Sequence, residues 1–569
     1  MNWRILEPDP GVVSRLKSEF KTSEIIARVM ANHGIESLAE SHTFFSPTID
    51  QLHDPALMCD TIKAAELVKS HIEAKNPIVV FGDYDVDGTT AAAMLYLVLR
   101  SLGATVETYI PNRELEGYGL SVQGIDHARQ ADARLLITCD CGINAFEEVA
   151  YAHSRGLDVI ITDHHTPDQS LPEAKAILNP KRSDCSYPFL GLSGGGVAFK
   201  LAAAVSALFG RPADEMHRYL DLITLGTAAD MVPLLDENRA IVYHGLQAIS
   251  HSQRPGIKAL LKKVNMYNGG ISVGQIVFWL APRINAAGRL GDANRSVELL
   301  TTDDFERAKT LARELDEENH RRQSIQQEVV DEAIRMTNAQ VDLTTDRAII
   351  LAGHGWHSGV VGIVASRIKE EFNRPAIIIS FDESRTGKGS ARSIKDFDLY
   401  EALTATSNHL EGYGGHPMAA GLTVREENFN EFRTAFLKYA RQHISNENLE
   451  PGITLDGLMR LSDINPRLMD FLDKLGPYGP GNMRPKFGAH NLTIAGHPKV
   501  IGNGDHLRFR VRQGRTVYDA IGFNLARHYE KLITGLPIDL AFVVEFNEWQ
   551  GQKFIQLNVR DIKRSGVAE

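Results

Sequence analysis

Between residues 77 and 232, short runs of apolar and mostly β-branched residues alternate with longer helical stretches. The runs at 77–81 (PIVVF), 135–139 (LLITC) and 159–162 (VIIT) are continuous rather than alternating, the pattern of strands covered on both faces in a parallel sheet. Stretches 89–102 and 144–155 between them read as helices, so a βα repeat is expected. A second α/β unit follows: a strand at 347–352, the loop and helix GHGWHSGVVGIVASRIKEEF, and a strand at 375–381. The segment joining the two units, 303–338, is strongly charged and free of Gly and Pro. Its 36 residues, at about 1.5 Å each, predict a helix of roughly 54 Å. Its charge run reads as a solvated face, which makes it a connector between lobes rather than a binding element.

Beyond residue 449 the period changes. NLTIAGHPKVIGNGDHLRFRVRQGRTVYDAIGFN and IDLAFVVEFNEWQGQKFIQLNVRDIK read as short alternating strands with Gly and Asn turns, the signature of a small barrel of the oligonucleotide-binding type. Arg508, Arg510 and Arg512 fall on alternate positions and share one strand face, with Phe509 and Val511 facing the core. With Tyr518, Phe523 and Trp549 nearby, that face suits a single-stranded backbone track; a merely solvated barrel face fits the same pattern equally well. The expected organisation is a helical lead-in at 1–60, a parallel-sheet domain at 61–300, the connecting helix at 301–340, a smaller α/β domain at 341–448 and an all-β barrel at 449–569.

Composition adjusts this picture in two ways. Hydrophobic content of 43% allows large cores, yet no segment is apolar enough to span a bilayer, and the opening MNWRILEPDPG lacks the basic-then-apolar pattern of a signal peptide. Four cysteines form no CxxC pair; Cys139 and Cys141 flank Asp140 and read as small buried residues, so a reduced cytoplasmic setting is expected. The net charge of −11 argues against a nucleic-acid partner, but the balance is uneven. Residues 451–569 carry 16 Lys+Arg against 12 Asp+Glu, and a local basic surface matters more than the global sum.

The candidate chemistry lies just past the strand ends. GDYDVDGTTA brings Asp83, Asp85 and Asp87 after the first run, Asp140 follows the second, and Asp163, His164 and His165 follow the third. Ligands of open α/β sheets bind beyond the strand carboxyl ends, so the three clusters should converge. Carboxylates crowded in this way repel unless a cation neutralises them, and carboxylate with imidazole suits a hard or borderline divalent metal. Asp230, in DLITLGTAADMVPL, would by itself be read as a helix cap, but the upstream motifs make it a further ligand. FLGLSGGGVAFKLAAA (189–204) lacks the Gly-Lys-Ser/Thr of a nucleotide loop, and its glycines read as close helix packing. TGKGSARS (386–393) and GYGGHPMAAG (412–421) are glycine-rich with Lys388, Arg392 and His416, which fits anion nests as well as ordinary turns.

Taken together, GDYDVDG, TCDCG, Asp163-His164-His165 and LGTAADMVPL resemble the DHH phosphoesterase superfamily. The second unit, ending in GGHPMAAG, is similar to the associated DHHA1 domain. APRINAAGRL (281–290), WHSGVVGIVASR (356–367) and the barrel narrow the resemblance to the bacterial single-strand-specific 5′→3′ DNA exonucleases. That resemblance implies two manganese or magnesium ions, one held by Asp87, Asp140, His164 and Asp230, the other by Asp140, Asp85 and the nearby Asp83. It implies an orienting role for Asp163 and a phosphate-facing role for His165. It further implies a pocket for the terminal 5′ phosphate, with Arg283, Arg289, Ser390 and Arg392 as candidates, and contacts to phosphates nearer the cut from Gly415 and His416. The expected substrate is single-stranded DNA with a 5′ end, the expected product 5′-mononucleotides, and the expected state a monomer. A single-stranded-DNA-binding protein and a RecQ-type helicase are the expected partners. Two other readings are weighed: a DHH phosphodiesterase for short oligonucleotides or cyclic dinucleotides, and a metal-free binding scaffold. Relatives of the former kind usually stop after DHHA1, and degenerate ligand positions would mark the latter, whereas here every one is filled.

Overall fold

A computed structural model describes residues 1–113, 115–266, 269–549 and 552–566; the side chain of Trp549 lies outside the described residues. The chain divides into two compact units, the larger formed by 52–232 and 241–450, the smaller by 1–51, 233–240 and 451–569.

The larger unit holds two sheets. In the first, five strands lie all parallel in the order Val106–Tyr109, Ile78–Gly82, Leu135–Cys139, Asp158–Thr162, Ala176–Leu178. The three central strands are buried along almost their whole length, which is why their sequences show no polar alternation. From Ile78–Gly82 the chain moves to one neighbour and then crosses back to Leu135–Cys139 on the other side. The strand order therefore reverses between these two strands, and such a switch point opens a crevice at their carboxyl ends. The second sheet runs Gly412–His416, Ala419–Arg425, Thr386–Arg392, Ala376–Phe381, Ile349–His354, with only the last two parallel and bridged by helix Ser358–Phe372.

Helix Phe305–Gln340 spans 36 residues, capped by Asp304, whose carboxylate accepts from the amides of Glu306 and Arg307. It is not solvated all round. Leu311, Leu315 and Asn319 are buried in its first half, and Val329, Val330 and Ala333 pack with Trp356 and Val360 in its second. No described helix is long and apolar enough to cross a membrane.

The smaller unit is built around a seven-stranded sheet that closes on itself, because Phe487–Ile494 pairs with both Ile538–Trp549 and His506–Gln513. On His506–Gln513, Leu507, Phe509 and Val511 are buried while Arg508, Arg510 and Arg512 are exposed, the alternation read from the sequence. Tyr518 departs from that reading: it packs against the core, and its hydroxyl donates to the carbonyl of Ile464, so it does not join the arginine row. The N-terminal helices are not free-standing. Strand Asn2–Ile5 pairs in parallel with Gly452–Leu455, and Ile25, Ile26, Val29 and Met30 share one core with Leu468, Leu472, Phe487 and Phe542.

Candidate active site

The carboxylates and imidazoles converge at the switch point. Asp85 caps helix Val86–Ser101 by accepting from the amide of Gly88, and this turn places Asp83 before the helix and Asp87 in its first turn. Asp140 follows Leu135–Cys139 at φ 63°, a left-handed conformation that Asp tolerates better than most residues. Asp230 closes the C-terminal end of helix Leu220–Ala229, where a carboxylate faces the unfavourable end of the helix dipole and is therefore no cap in the N-terminal sense.

Potential ligand atoms of Asp83, Asp85 and Asp140 lie within 4.8 Å of one another, as do those of Asp87, His164 and Asp230, and those of Asp140, His164 and His165. His164 Nδ1 lies 3.0 Å from the carbonyl of Leu192. A carbonyl only accepts, so Nδ1 carries the proton and Nε2 presents its lone pair, 3.2 Å from Asp140 Oδ1 and 3.5 Å from Asp230 Oδ2. Four buried atoms here, Asp83 Oδ1, Asp140 Oδ1, His164 Nε2 and Asp230 Oδ2, have no hydrogen-bond partner. Buried polar atoms are seldom left this way, and divalent cations in the two clusters would satisfy all four. The donor set fits manganese or magnesium: mostly carboxylate oxygen, one neutral imidazole and no thiolate.

The electrostatics agree. Burial and then the neighbouring carboxylates push Asp83 and Asp140 well above the ordinary range, Asp87 up to about 7 and Asp230 up to about 9. Burial lowers His164 to about 3, so it stays neutral, as a ligand must be. Asp163 behaves differently. Burial alone would raise it, but it accepts from His165 Nδ1 at 2.7 Å and from the amides of His164, His165 and Ile143, and these bonds hold it below the carboxylate norm. His165 is correspondingly raised against its own burial, and its Nε2 lies 3.1 Å from the Tyr118 hydroxyl.

Two glycines of helix Gly194–Leu208 close the floor. The amide of Gly195 donates to both carboxylate oxygens of Asp87 at 3.2 Å, and a β-carbon on Gly194 would fall on the carboxylate of Asp140. The glycine-rich run that read as helix packing is thus part of the site. A helix N-terminus pointed at a carboxylate left the signal; only the fold could show which carboxylate.

A second group of residues gathers cations. Burial lowers Arg289 to about 10, and Arg113 and Arg322 depress it further; burial and Arg113 also lower Arg392. Arg113 stacks 5.1 Å from the centre of the Tyr84 ring, Arg392 donates to Ser390 Oγ at 2.9 Å, and Arg322 has a buried Nε without a partner. None of these four arginines forms an ion pair with a carboxylate among the described residues, so they await an anion. Nothing in the sequence singles out Arg113 or Arg322, the latter because its helix reads as a solvated connector. Arg283 leaves the set: it is buried, with Nε and one terminal nitrogen each 2.8 Å from Asp316 Oδ1, and a third bond to the carbonyl of Trp279. From the same unit a cleft of about 1250 Å³ opens between the two sheets, lined by Tyr118, His165, Lys388, Tyr413, Gly415 and His416.

Residues 77–227 match the DHH family N-terminal domain, 345–442 the DHHA1 domain and 455–561 the RecJ OB domain. The single-stranded-DNA-specific exonuclease RecJ of Bacillus subtilis is 38% identical over 99% of this chain and 70% of its own length. That of Escherichia coli is 33% identical over 95% of both. The crystal structure of Thermus thermophilus RecJ in complex with Mn2+ superposes with a TM-score of 0.84 at 29% identity, covering 100% of this chain and 80% of that one; its complex with Mg2+ gives 0.79 at 28%. The chain belongs to the RecJ family of single-stranded-DNA-specific exonucleases.

Proposed function

We propose that this chain is a metal-dependent exonuclease that degrades single-stranded DNA from its 5′ end to 5′-mononucleotides, in DNA recombination and repair. Family membership carries the substrate and the reaction class. The observation that carries the chemistry is the set of four buried, partnerless ligand atoms at the sheet switch point. Relatives that share the barrel over 95% of both lengths favour this reading over a phosphodiesterase for short oligonucleotides or cyclic dinucleotides.

Asp87, His164 and Asp230 would hold one ion and Asp83 and Asp85 the other, with Asp140 shared. Two bound Mn2+ or Mg2+ ions would supply an acidified water as nucleophile and neutralise charge at the cleaved phosphodiester. The chain's own residues do the rest. Leu192 fixes the His164 tautomer, the amide of Gly195 orients Asp87, and Asp163 holds His165, whose Nε2 meets the Tyr118 hydroxyl and would donate to a phosphate oxygen in its place. Arg113, Arg289, Arg322, Ser390 and Arg392 would grip the terminal 5′ phosphate. Cleavage one nucleotide inward then follows from a fixed distance between two sites, since a metal cluster alone has no preference for either end. Lys388, Gly415 and His416 would contact phosphates near the cut, and the Arg508, Arg510 and Arg512 face a longer stretch of strand. A single-stranded-DNA-binding protein and a RecQ-type helicase, which expose and hold such strands, are the partners this activity calls for.

The test is digestion of 5′- and 3′-end-labelled single strands beside a duplex, with Mn2+, Mg2+ or chelator. Label should leave as mononucleotide first from the 5′ end, only from the single strand, and Asp140→Ala should abolish it. Release first from the 3′ end, or Asp140→Ala retaining a tenth of the rate, would overturn the assignment.

A further inference from the structure

Outside the active site, two of the four cysteines meet. Cys59 lies two residues beyond the turn Pro55–Leu57, and Cys185 follows the edge strand Ala176–Leu178. The amide of Cys59 donates to Cys185 Sγ at 3.2 Å, and Cys59 Sγ lies 3.3 Å from the carbonyl of Asp184. Cys59 and Cys185 are partly exposed, whereas Cys139 and Cys141 are buried. Neighbouring residues hold the two together. Arg182 bonds Asp60 at 2.8 Å and grips Asp184 through two bonds of 2.9 and 2.7 Å, and Asp60 and Asp184 are the residues adjacent to the two cysteines. The segment they anchor reaches the site, because Asn179 donates to the carbonyl of His165 at 2.8 Å.

We propose that Cys59 and Cys185 are a peroxide-sensitive thiol pair that closes into an intramolecular disulfide around the catalytic strands. Cysteine pairs link when their α-carbons lie roughly 4.4–6.8 Å apart, a spacing that an amide-to-sulfur contact across the pair brings within a side-chain rotation. Cys185 is the attacking sulfur: its Sγ accepts from the amide of Cys59, whereas Cys59 Sγ donates to the carbonyl of Asp184 and so keeps its proton. It displaces one oxygen of a hydroperoxide, forming the sulfenic acid and releasing the alcohol or water. Cys59 stays a thiol, its pKa raised to about 11 by burial and by Cys185. Its sulfur then attacks the sulfenic sulfur, and its proton leaves with the hydroxyl as water. Two thiols are oxidised, one peroxide is reduced, and no other reagent is needed. The ring so closed joins positions 126 apart and contains every proposed metal ligand except Asp230.

The experiment exposes the reduced full-length protein to hydrogen peroxide, blocks remaining thiols with N-ethylmaleimide and maps peptides without reduction. A linked peptide joining Cys59 and Cys185, two hydrogens lighter than its parts, should form while Cys139 and Cys141 stay reduced. The melting temperature should rise by at least ~2 °C and fall back with dithiothreitol. Cys59→Ser should halt oxidation at sulfenic or sulfinic Cys185, and Cys185→Ser should leave Cys59 reduced. Absence of the linked peptide from the wild-type protein, or a bridge between chains instead, would overturn the proposal whether or not the variants fold.

Discussion

Gly195→Ala separates the site from the fold. An ideal β-carbon at this position lies 2.8 Å from Asp87 Oδ1, and its next neighbours are 3.5 and 3.8 Å away on Ile223, which is ordinary contact. The only group in the way is therefore a proposed metal ligand. Restoring a contact of about 3.4 Å needs a movement of about 0.6 Å by the carboxylate, while metal–ligand distances tolerate roughly 0.2 Å. Disturbance of a ligand on this scale costs about 10–100-fold in metal affinity or activity, or ~1.4–2.7 kcal/mol. The fold should not suffer, because Gly195 is the second residue of helix Gly194–Leu208 and has no positive φ, a backbone conformation that alanine adopts without strain. Manganese-dependent turnover, calorimetric Mn2+ binding and thermal melting in chelator should be read on the same preparation, with Gly274→Ala as a control that meets nothing closer than 4.0 Å. Weaker Mn2+ binding with an unchanged chelator melt is the expected result. Wild-type affinity and turnover in Gly195→Ala would refute the role of this helix end.

Three further outcomes are expected. Asp87 and Asp230 titrate in the folded protein near about 7 and about 9 but from 3.8 when unfolded, so the metal-free protein loses stability as pH rises through that window; the Mn2+-induced gain in melting temperature should grow from pH 5 to 9, and a flat gain would contradict the shared-charge picture. Arg392→Ala should couple to the substrate's 5′ phosphate by ~1.5–3 kcal/mol in a double cycle of kcat/KM, whereas Arg283→Ala should show no coupling and instead lower the melting temperature by loosening Asp316. Replacing Arg508, Arg510 and Arg512 together should flatten the salt dependence of binding to a long strand and spare cleavage of a short one, and an unchanged slope in a salt titration would mark the face as solvated surface.

The parallel sheet and the metal cluster were legible because both leave local marks. Strands buried on two faces must be apolar without interruption, and a carboxylate at a strand end sits beside such a run. The phosphate-binding residues leave no such mark. Arg283 and Arg289 occur in one helical motif, but six residues turn the helix by about 600°, so they face directions roughly 120° apart and only Arg289 joins the cations. Arg113 lies in a loop and Arg322 on a charged helix, where one more arginine carries no signal until the tertiary fold buries it. Tyr518 was misplaced for a related reason: alternation assigns it to a face, but which face is the core depends on the strand opposite.

The smaller unit draws its core from both ends of the chain, since Ile25, Ile26, Val29 and Met30 pack against residues more than 400 positions later. During synthesis those four side chains emerge more than 400 residues before the barrel strands they pack against, whereas the segment 52–232 with 241–450 can condense in the meantime. The nascent chain should carry an adhesive amphipathic hairpin for most of its translation and depend on a holding chaperone. Truncation at residue 450 would not yield the catalytic unit alone: it would leave helices Pro10–Glu19 and Glu24–Asn32 with a bare apolar face, and loss of solubility there would say nothing about DNA binding.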